Sequence, residues 1–518
     1  MGSLKSLAKD TAIYGLSSII GRFLNWLLVP LYTYLFAKEE YGVVSYIYSF
    51  VALALVILTY GMETGFFRFA NRSRSDNPVE VYTTSLSSLA ITSALFIGLI
   101  ALFLPEVSDA IGSRSYSPYV MLMAATVGID AFSSIPFAWL RFERRPMRFA
   151  LLRLIGIGVN IGLNIFFLLL CPRINEIAPG AISWFYNPDF GIGYIFLANF
   201  LGSVVTLLFL TPELTRCGRW RFNIPMLREM LRYSWPLLIF GVAGIMNQTI
   251  GTIIFPRLLP PEADPMGQLG IYSANYKIAI VMIMFIQAFR FAYEPFIFAK
   301  AKEDTGNADT SARRSSQLFA DTMTYFVIFS MIIFLGVMAF LDVLRHFISS
   351  AYFSGLKVVP ILMIAEFFFG VFFNLSLWYK LTDQTIWGTW FSLLGLAVTV
   401  GLLLWLVPLY GYMGCAWAAF GCYAVMMTAS YLVGRKKHPI PYRLGPIALY
   451  FFGALAAYAL MCALTTGHQL ADMGIRTIIL LIYIVLALRN EHLTLRSLLP
   501  RTLARHISDQ SISTDGNK

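Results

Sequence analysis

The stretch Leu269-Gly-Ile-Tyr-Ser-Ala-Asn-Tyr-Lys-Ile-Ala-Ile-Val-Met-Ile-Met-Phe-Ile-Gln-Ala-Phe-Arg-Phe-Ala-Tyr-Glu294 decides how this chain is read. Its centre is apolar enough for a bilayer, whose hydrocarbon core takes roughly 20 residues of helix. Yet it holds Lys277 a third of the way along, where a charge costs at least ~2.5 kcal/mol to insert. A lysine at a helix end can reach the surface along its own stem. Lys277 instead follows Asn275 and Tyr276 and precedes Gln287. This spacing predicts a membrane helix with a polar interior face, and asks what anion an embedded cation meets.

The rest of the chain agrees with a membrane protein. Of 518 residues, 58% are hydrophobic and 13% charged, with mean hydropathy +0.68, whereas soluble domains carry about a quarter charged residues. The net charge of +11 then reports orientation, not nucleic acid as a partner. Five cysteines lack metal or disulfide spacing, so no metal and no cofactor is expected. The first apolar run is long, interrupted by Arg22, and without a small-residue cleavage site, unlike a signal peptide.

A span-length window yields an all-α integral membrane fold of fourteen transmembrane helices. The first seven lie at about 11–36, 41–62, 83–104, 117–140, 149–171, 191–211 and 232–256. The next seven lie at about 269–289, 318–340, 357–379, 386–407, 411–433, 444–464 and 473–488. Connections are short, the longest being 172–190, 290–317 and a polar tail. None holds a soluble domain, so any chemistry lies between the helices.

Basic residues set the orientation. With a cytoplasmic N-terminus, twenty-nine of the 39 fall on the inner side, among them Arg141, Arg144, Arg145, Arg148, Arg219, Arg435 and Lys436. Seven fall outside: Lys38, Arg114, Arg173, Arg257, Arg345, Lys357 and Arg476. Arg22, Arg153 and Lys277 lie within spans. Both termini are expected in the cytoplasm.

The chain also repeats itself. Gly15, Ser18, Arg22 and Asn25 share one helix face, and Gly241, Gly244, Gln248 and Gly251 return at the same spacing 226 residues on. Pro30 returns as Pro256, and Gly42, Ser45 and Tyr48 return as Gly270, Ser273 and Tyr276. Six helices separate the copies, so the repeats are parallel and related by an axis along the membrane normal, as in alternating-access carriers. The expected division is 1–226 (first six-helix lobe), 227–440 (second six-helix lobe), 441–490 (a C-terminal helix pair) and 491–518 (cytoplasmic polar tail).

Three segments resemble a known family. Ala12-Ile-Tyr-Gly-Leu-Ser-Ser-Ile-Ile-Gly-Arg-Phe-Leu-Asn25, Gly270-Ile-Tyr-Ser-Ala-Asn-Tyr-Lys277 and Ala288-Phe-Arg-Phe-Ala-Tyr-Glu-Pro295 are similar to bacterial polysaccharide flippases of the multidrug/oligosaccharidyl-lipid/polysaccharide exporter superfamily. The resemblance implies two six-helix lobes plus a final pair. It also implies export of a polyprenyl-diphosphate-linked oligosaccharide across the inner membrane, for surface polysaccharides such as O-antigen. Its partners would be that lipid-linked sugar, membrane lipid and other polysaccharide assembly proteins.

Helix rise places Arg22 ~17 Å above the cytoplasmic start of its span and Lys277 ~12 Å below the outer end of its own, at similar depth in a ~30 Å core. Two cations with few nearby acids suit a diphosphate, Arg as a planar fork and Lys as a point charge. Alternatively each neutralises a buried acid, Glu63, Asp130 or Glu366. Asn25, Asn247 and Gln248 extend the same faces and either bind sugar hydroxyls or bridge helices. Arg153, Asn160 and Asn164 form a further polar face, with Gly156, Gly158 and Gly162 permitting close packing. The aromatic share of 15% is assigned to lipid contact and interfacial belts.

Acids bear on coupling. Drug exporters of the superfamily often carry one in the first helix, and the span from Thr11 to Phe36 has none. That departure favours an anionic amphiphile over a cationic drug. Asp130 and Glu63 are candidates for ion coupling, though Glu63 is also placed to pair with Arg68. The five histidines fall in loops or tail, so no catalytic residues are expected and the chain does not read as an enzyme. A multidrug or cation antiporter of the same superfamily is one alternative, and an integral-membrane polysaccharide polymerase or ligase is another.

Overall fold

The computed structural model describes residues 2–72, 77–215, 221–303, 308–382 and 384–491, with side chains described except at 2–12, 18, 72, 179, 292–303, 308–315 and 381. Every regular element among these residues is helical, as a bilayer demands, since only a helix or a closed barrel satisfies its own backbone there. The expected polar tail at 491–518 lies outside the described residues apart from Glu491.

The long helices are α1 (Gly2–Trp26), α2 (Lys38–Thr59), α3 (Pro78–Leu102), α4 (Ser117–Phe142), α5 (Pro146–Ile165), α6 (Gly193–Phe209) and α7 (Ile224–Leu258). They continue with α8 (Pro265–Glu303), α9 (Ala308–Ala339), α10 (Val359–Leu375), α11 (Ile386–Tyr410), α12 (Tyr412–Lys437), α13 (Leu444–Ala463) and α14 (Gln469–Asn490). Among the described residues, twelve helices are long and apolar enough to cross a membrane, and α6 is a shorter apolar helix. The segment 290–317, expected as a loop, is instead helix at both ends, because α8 runs on to Glu303 and α9 begins at Ala308.

Prolines explain two breaks. α1 stops at Trp26 and a short helix, Leu28–Leu35, takes over. Pro30 lacks an N–H and its ring crowds the carbonyl four residues back, that of Trp26. After α5 the chain widens into a π turn, Phe166–Leu170, just ahead of Pro172. In α7 the side chain of Asn223 caps the helix by accepting from the Met226 N–H at 3.0 Å.

The described residues form two compact units, one drawn from 2–303 and 345–439 and the other from 308–344 and 440–491. In the first, α2 touches both halves of the helix set. Its Val43, Val44 and Ile47 pack with Met123, Phe167 and Phe196, while its Tyr46 packs with Ile250, Phe255, Leu269, Leu403 and Cys415. In the second unit α9 packs on α13 and α14, Phe334 meets Tyr458 edge-on at 5.4 Å, and Arg476 pairs with Asp342 at 2.6 Å.

The crossing of α2 and α8 has its own symmetry. A methyl added to Gly42 would strike the carbonyl oxygen of Met266, and one added to Gly270 would strike that of Lys38. Shifting 42 and 38 by 228 gives 270 and 266, so the two contacts are copies of one another. Glycine at both positions lets the backbones touch, the small-residue packing used where no hydrophobic effect drives helices together. The glycines of α5 differ from expectation. Gly156 is close against Thr206, whereas Gly158 and Gly162 have nothing within 4 Å, so they do not serve close packing.

Candidate functional site

Two adjoining cavities open beside the α2–α8 crossing. The larger, about 430 Å³, is lined by Asn25, Asn160, Asn199, Gln248 and Lys277 together with Tyr32, Tyr41, Tyr48, Tyr272 and Tyr276. The other, about 230 Å³, lies between α1 and α8 and is lined by Arg22, Asn25, Trp26, Lys277, Ile280, Met284 and Gln287. Asn25 and Lys277 border both. Among the described residues, neither cavity has an aspartate or glutamate on its wall.

The placement of Lys277 follows from local packing. The indole N–H of Trp26 donates to the Lys277 main-chain carbonyl at 2.7 Å, and the Trp26 ring stacks on Phe347 at 4.0 Å. Asn275, fully buried, donates to the carbonyls of Ile271 and Tyr352, each at 2.8 Å, and so fixes the opposite face of α8. Among the described residues neither Arg22 nor Lys277 has an ion-pair partner, and the charge acting on Arg22 is a like one, Arg290. Arg290 itself sits over the Phe373 ring at 4.5 Å.

The acids named as neutralising partners are engaged elsewhere. Glu63 pairs with Arg141, and not with Arg68, whose guanidinium lies over Tyr233 at 4.1 Å. Arg141 reaches Glu63 because the last turn of α4 packs beside the short helix Met62–Arg72. Asp130 has the Ser203 hydroxyl and the Arg153 guanidinium as electrostatic neighbours. Glu366 accepts from the Tyr276 hydroxyl at 3.0 Å.

The expected polar residues separate into groups. Asn160 donates to Asn25 at 3.4 Å, Asn164 donates to Asn160 at 3.1 Å, and Tyr32 donates to Asn164 at 2.9 Å. This chain ties α1, α5 and the Leu28–Leu35 helix along one wall, with Asn164 wholly buried behind Asn160. Gln248 faces the larger cavity. Asn247 points the other way, donating to the Ser392 carbonyl at 2.9 Å and bordering a third cavity of about 40 Å³. Arg153 borders none of the three; its guanidinium lies over the Phe137 ring at 4.2 Å.

Two features escaped the sequence reading. The aromatic residues are expected at lipid and interfacial belts, yet five tyrosines face the larger cavity. Tyr48 and Tyr276 belonged to the repeated Gly/Ser/Tyr pattern, which was the available signal. Arg290, one of the twenty-nine basic residues expected on the inner side, is the other.

The polysaccharide biosynthesis protein family matches residues 7–299. The chain belongs to that family. No protein of curated function matches the sequence. Among solved structures, this family member is similar to the lipid II flippase MurJ in an inward closed conformation, with TM-score 0.69 at 11% identity over 93% of this chain and 99% of that one. It is also similar to an inward-facing multidrug resistance MATE family transporter of the MOP superfamily, with TM-score 0.60 at 14% identity over 82% and 94%. A mutant of the Vibrio cholerae MATE transporter VcmN gives TM-score 0.55 at 14% identity over 85% and 100%. At these identities the likeness is one of fold alone.

Proposed function

We propose that this family member is a flippase that carries a polyprenyl-diphosphate-linked oligosaccharide across the bacterial inner membrane by alternating access. The observation that carries the reading is that Arg22 and Lys277 border one cavity with no acid on its wall among the described residues. Two cations at one cavity, without an ion-pair partner among the described residues, suit a diphosphate, bound by a bidentate fork and a point charge. The larger cavity next to them offers amides and tyrosines, groups that meet sugar hydroxyls and ring faces. In this reading Arg22, Lys277, Asn25, Asn160 and Gln248 contact substrate. Asn164 orients Asn160, while Asn247 and Arg153 hold helices together.

The proposal includes fourteen spans, cytoplasmic termini, and two parallel six-helix lobes at 1–226 and 227–440 meeting at the α2–α8 crossing. The copied contacts of Gly42 and Gly270 support that symmetry. Likeness to MATE transporters keeps a drug or cation antiporter as the rival, but a cation-lined cavity repels a cationic drug. The deciding experiment deletes the gene in its host and locates lipid-linked sugar precursor. Precursor stranded on the cytoplasmic leaflet supports the flippase. Unchanged surface glycan with raised dye sensitivity points to the antiporter.

A further inference from the structure

We propose that Glu366 on α10 is an exchangeable proton site and that Tyr276 couples its charge state to the larger cavity. The proton site itself does not depend on the flippase reading, whereas its effect on a transported molecule rests on that reading. Glu366 is 4% exposed. Its carboxylate accepts from the Tyr276 hydroxyl at 3.0 Å, and among the described residues no cation reaches it.

The groups facing Glu366 are uncharged in their ordinary states. α8 presents Tyr272 and Tyr276, α12 presents Cys415 and Tyr423, α11 presents Thr399, and α7 presents Asn247. A carboxylate withdrawn from water without a counter-charge costs several kcal/mol and takes up a proton instead. A second observation points to a hydrogen at this place. Asn247 uses its amide N–H on the Ser392 carbonyl, while its Oδ1 is buried with no hydrogen-bond partner. Both residues border the same cavity of about 40 Å³, room enough for a water, which needs ~10–15 Å³ by this measure. The acid hydrogen of Glu366, directly or across one water, supplies the donor that Asn247 Oδ1 lacks.

The same wall reaches the substrate side. Tyr276, Tyr272, Gln248 and Thr252 border both the small cavity and the larger one, and Lys277 follows Tyr276 in the chain. When Glu366 loses its proton to cavity water, Tyr276 donates to a charged acceptor, a bond roughly twice as strong as a neutral one, and its hydroxyl is held away from the larger cavity. When Glu366 regains the proton, that hydroxyl is released toward substrate. Proton uptake at Glu366 thereby changes the surface offered to the transported molecule.

Infrared difference spectra of the full-length protein in lipid nanodiscs, taken from acid to alkaline buffer, test this. The expected result is a protonated-carboxyl C=O band that disappears on raising pH, is missing in Glu366→Gln and is shifted in frequency in Tyr276→Phe. The amide of Glu366→Gln stands for the protonated acid, so the fold is expected to survive. Should that variant fail to fold, the wild-type series and Tyr276→Phe carry the test. A wild-type spectrum with no titrating band, or a band that neither substitution moves, overturns the proposal. A band removed by sodium at constant pH overturns it too, in favour of a metal-ion site.

Discussion

The Trp26 indole and the Lys277 carbonyl are joined by a 2.7 Å hydrogen bond, which ties α1 to α8 at the level of both cations. The ring is held from behind by Phe347, so bond and stack together set how Lys277 faces the cavity. Trp26→Phe keeps the stack and removes the donor. A net hydrogen bond is worth about 1 kcal/mol, so thermal unfolding in detergent should show a loss of that order. Trp26→Ala should cost distinctly more, because the aromatic packing goes as well.

Arg22→Ala and Lys277→Ala should each abolish export while the protein inserts and folds normally. A charged hydrogen bond is worth about 1.5–3 kcal/mol, so affinity for a polyprenyl diphosphate should fall about 10- to 100-fold. Arg22→Lys should recover part of this, since the charge stays and the fork is lost. Glu63, Asp130 and Glu366 all have other neighbours, so replacing one of them should not rescue Lys277→Ala. Rescue would return Lys277 to a purely structural role.

Gly42→Ala and Gly270→Ala should both destabilise strongly, because each methyl meets a main-chain carbonyl that cannot move aside. Overpacking of this kind costs about 1–3 kcal/mol. Gly158→Ala and Gly162→Ala, with open space around them, should be neutral or mildly stabilising, as alanine favours helix over glycine by up to about 1 kcal/mol. Melting temperatures of the four variants in one detergent make the comparison.

Why was the helical frame legible and the site only partly so? Span length comes from the bilayer itself, which constrains every helix alike. The depth of Arg22 and Lys277 follows from helix rise along each span, so their sharing a cavity could be anticipated. Helix faces were harder. Asn247 and Gln248 are adjacent in sequence, yet Gln248 reaches the larger cavity and Asn247 does not, and nothing in one helix says which neighbour it will turn toward. The tyrosines were misread because an aromatic ring suits lipid, interface and cavity alike. Glu63 went to Arg141 and not to Arg68, a choice made by packing between residues 78 positions apart in the chain.

The loops at 141–148, 211–231 and 435–443 should be cytoplasmic, and those at 172–190 and 257–268 external. Single cysteines placed in each loop of a cysteine-free background, probed with an impermeant thiol reagent in intact cells, report the side directly. External labelling near Arg219 would overturn the span count.

Lys38 and Asp264 pair at 2.7 Å across the α2–α8 crossing, with side chains 37% and 39% exposed. An exposed pair contributes only about 0–1 kcal/mol and is screened by salt. Asp264 does more, because its other oxygen accepts from the Gly267 N–H at 3.0 Å, capping the start of α8. Its backbone also has φ of 50°, which asparagine and aspartate tolerate better than most residues. Lys38→Ala should therefore cost little, and that little should vanish in high salt. Asp264→Asn, which keeps the cap and the backbone preference, should match Lys38→Ala. Asp264→Ala should cost about 1 kcal/mol more through the lost cap, with that excess insensitive to salt. Equal losses for the asparagine and alanine variants would show that the ion pair, and not the cap, is what Asp264 supplies.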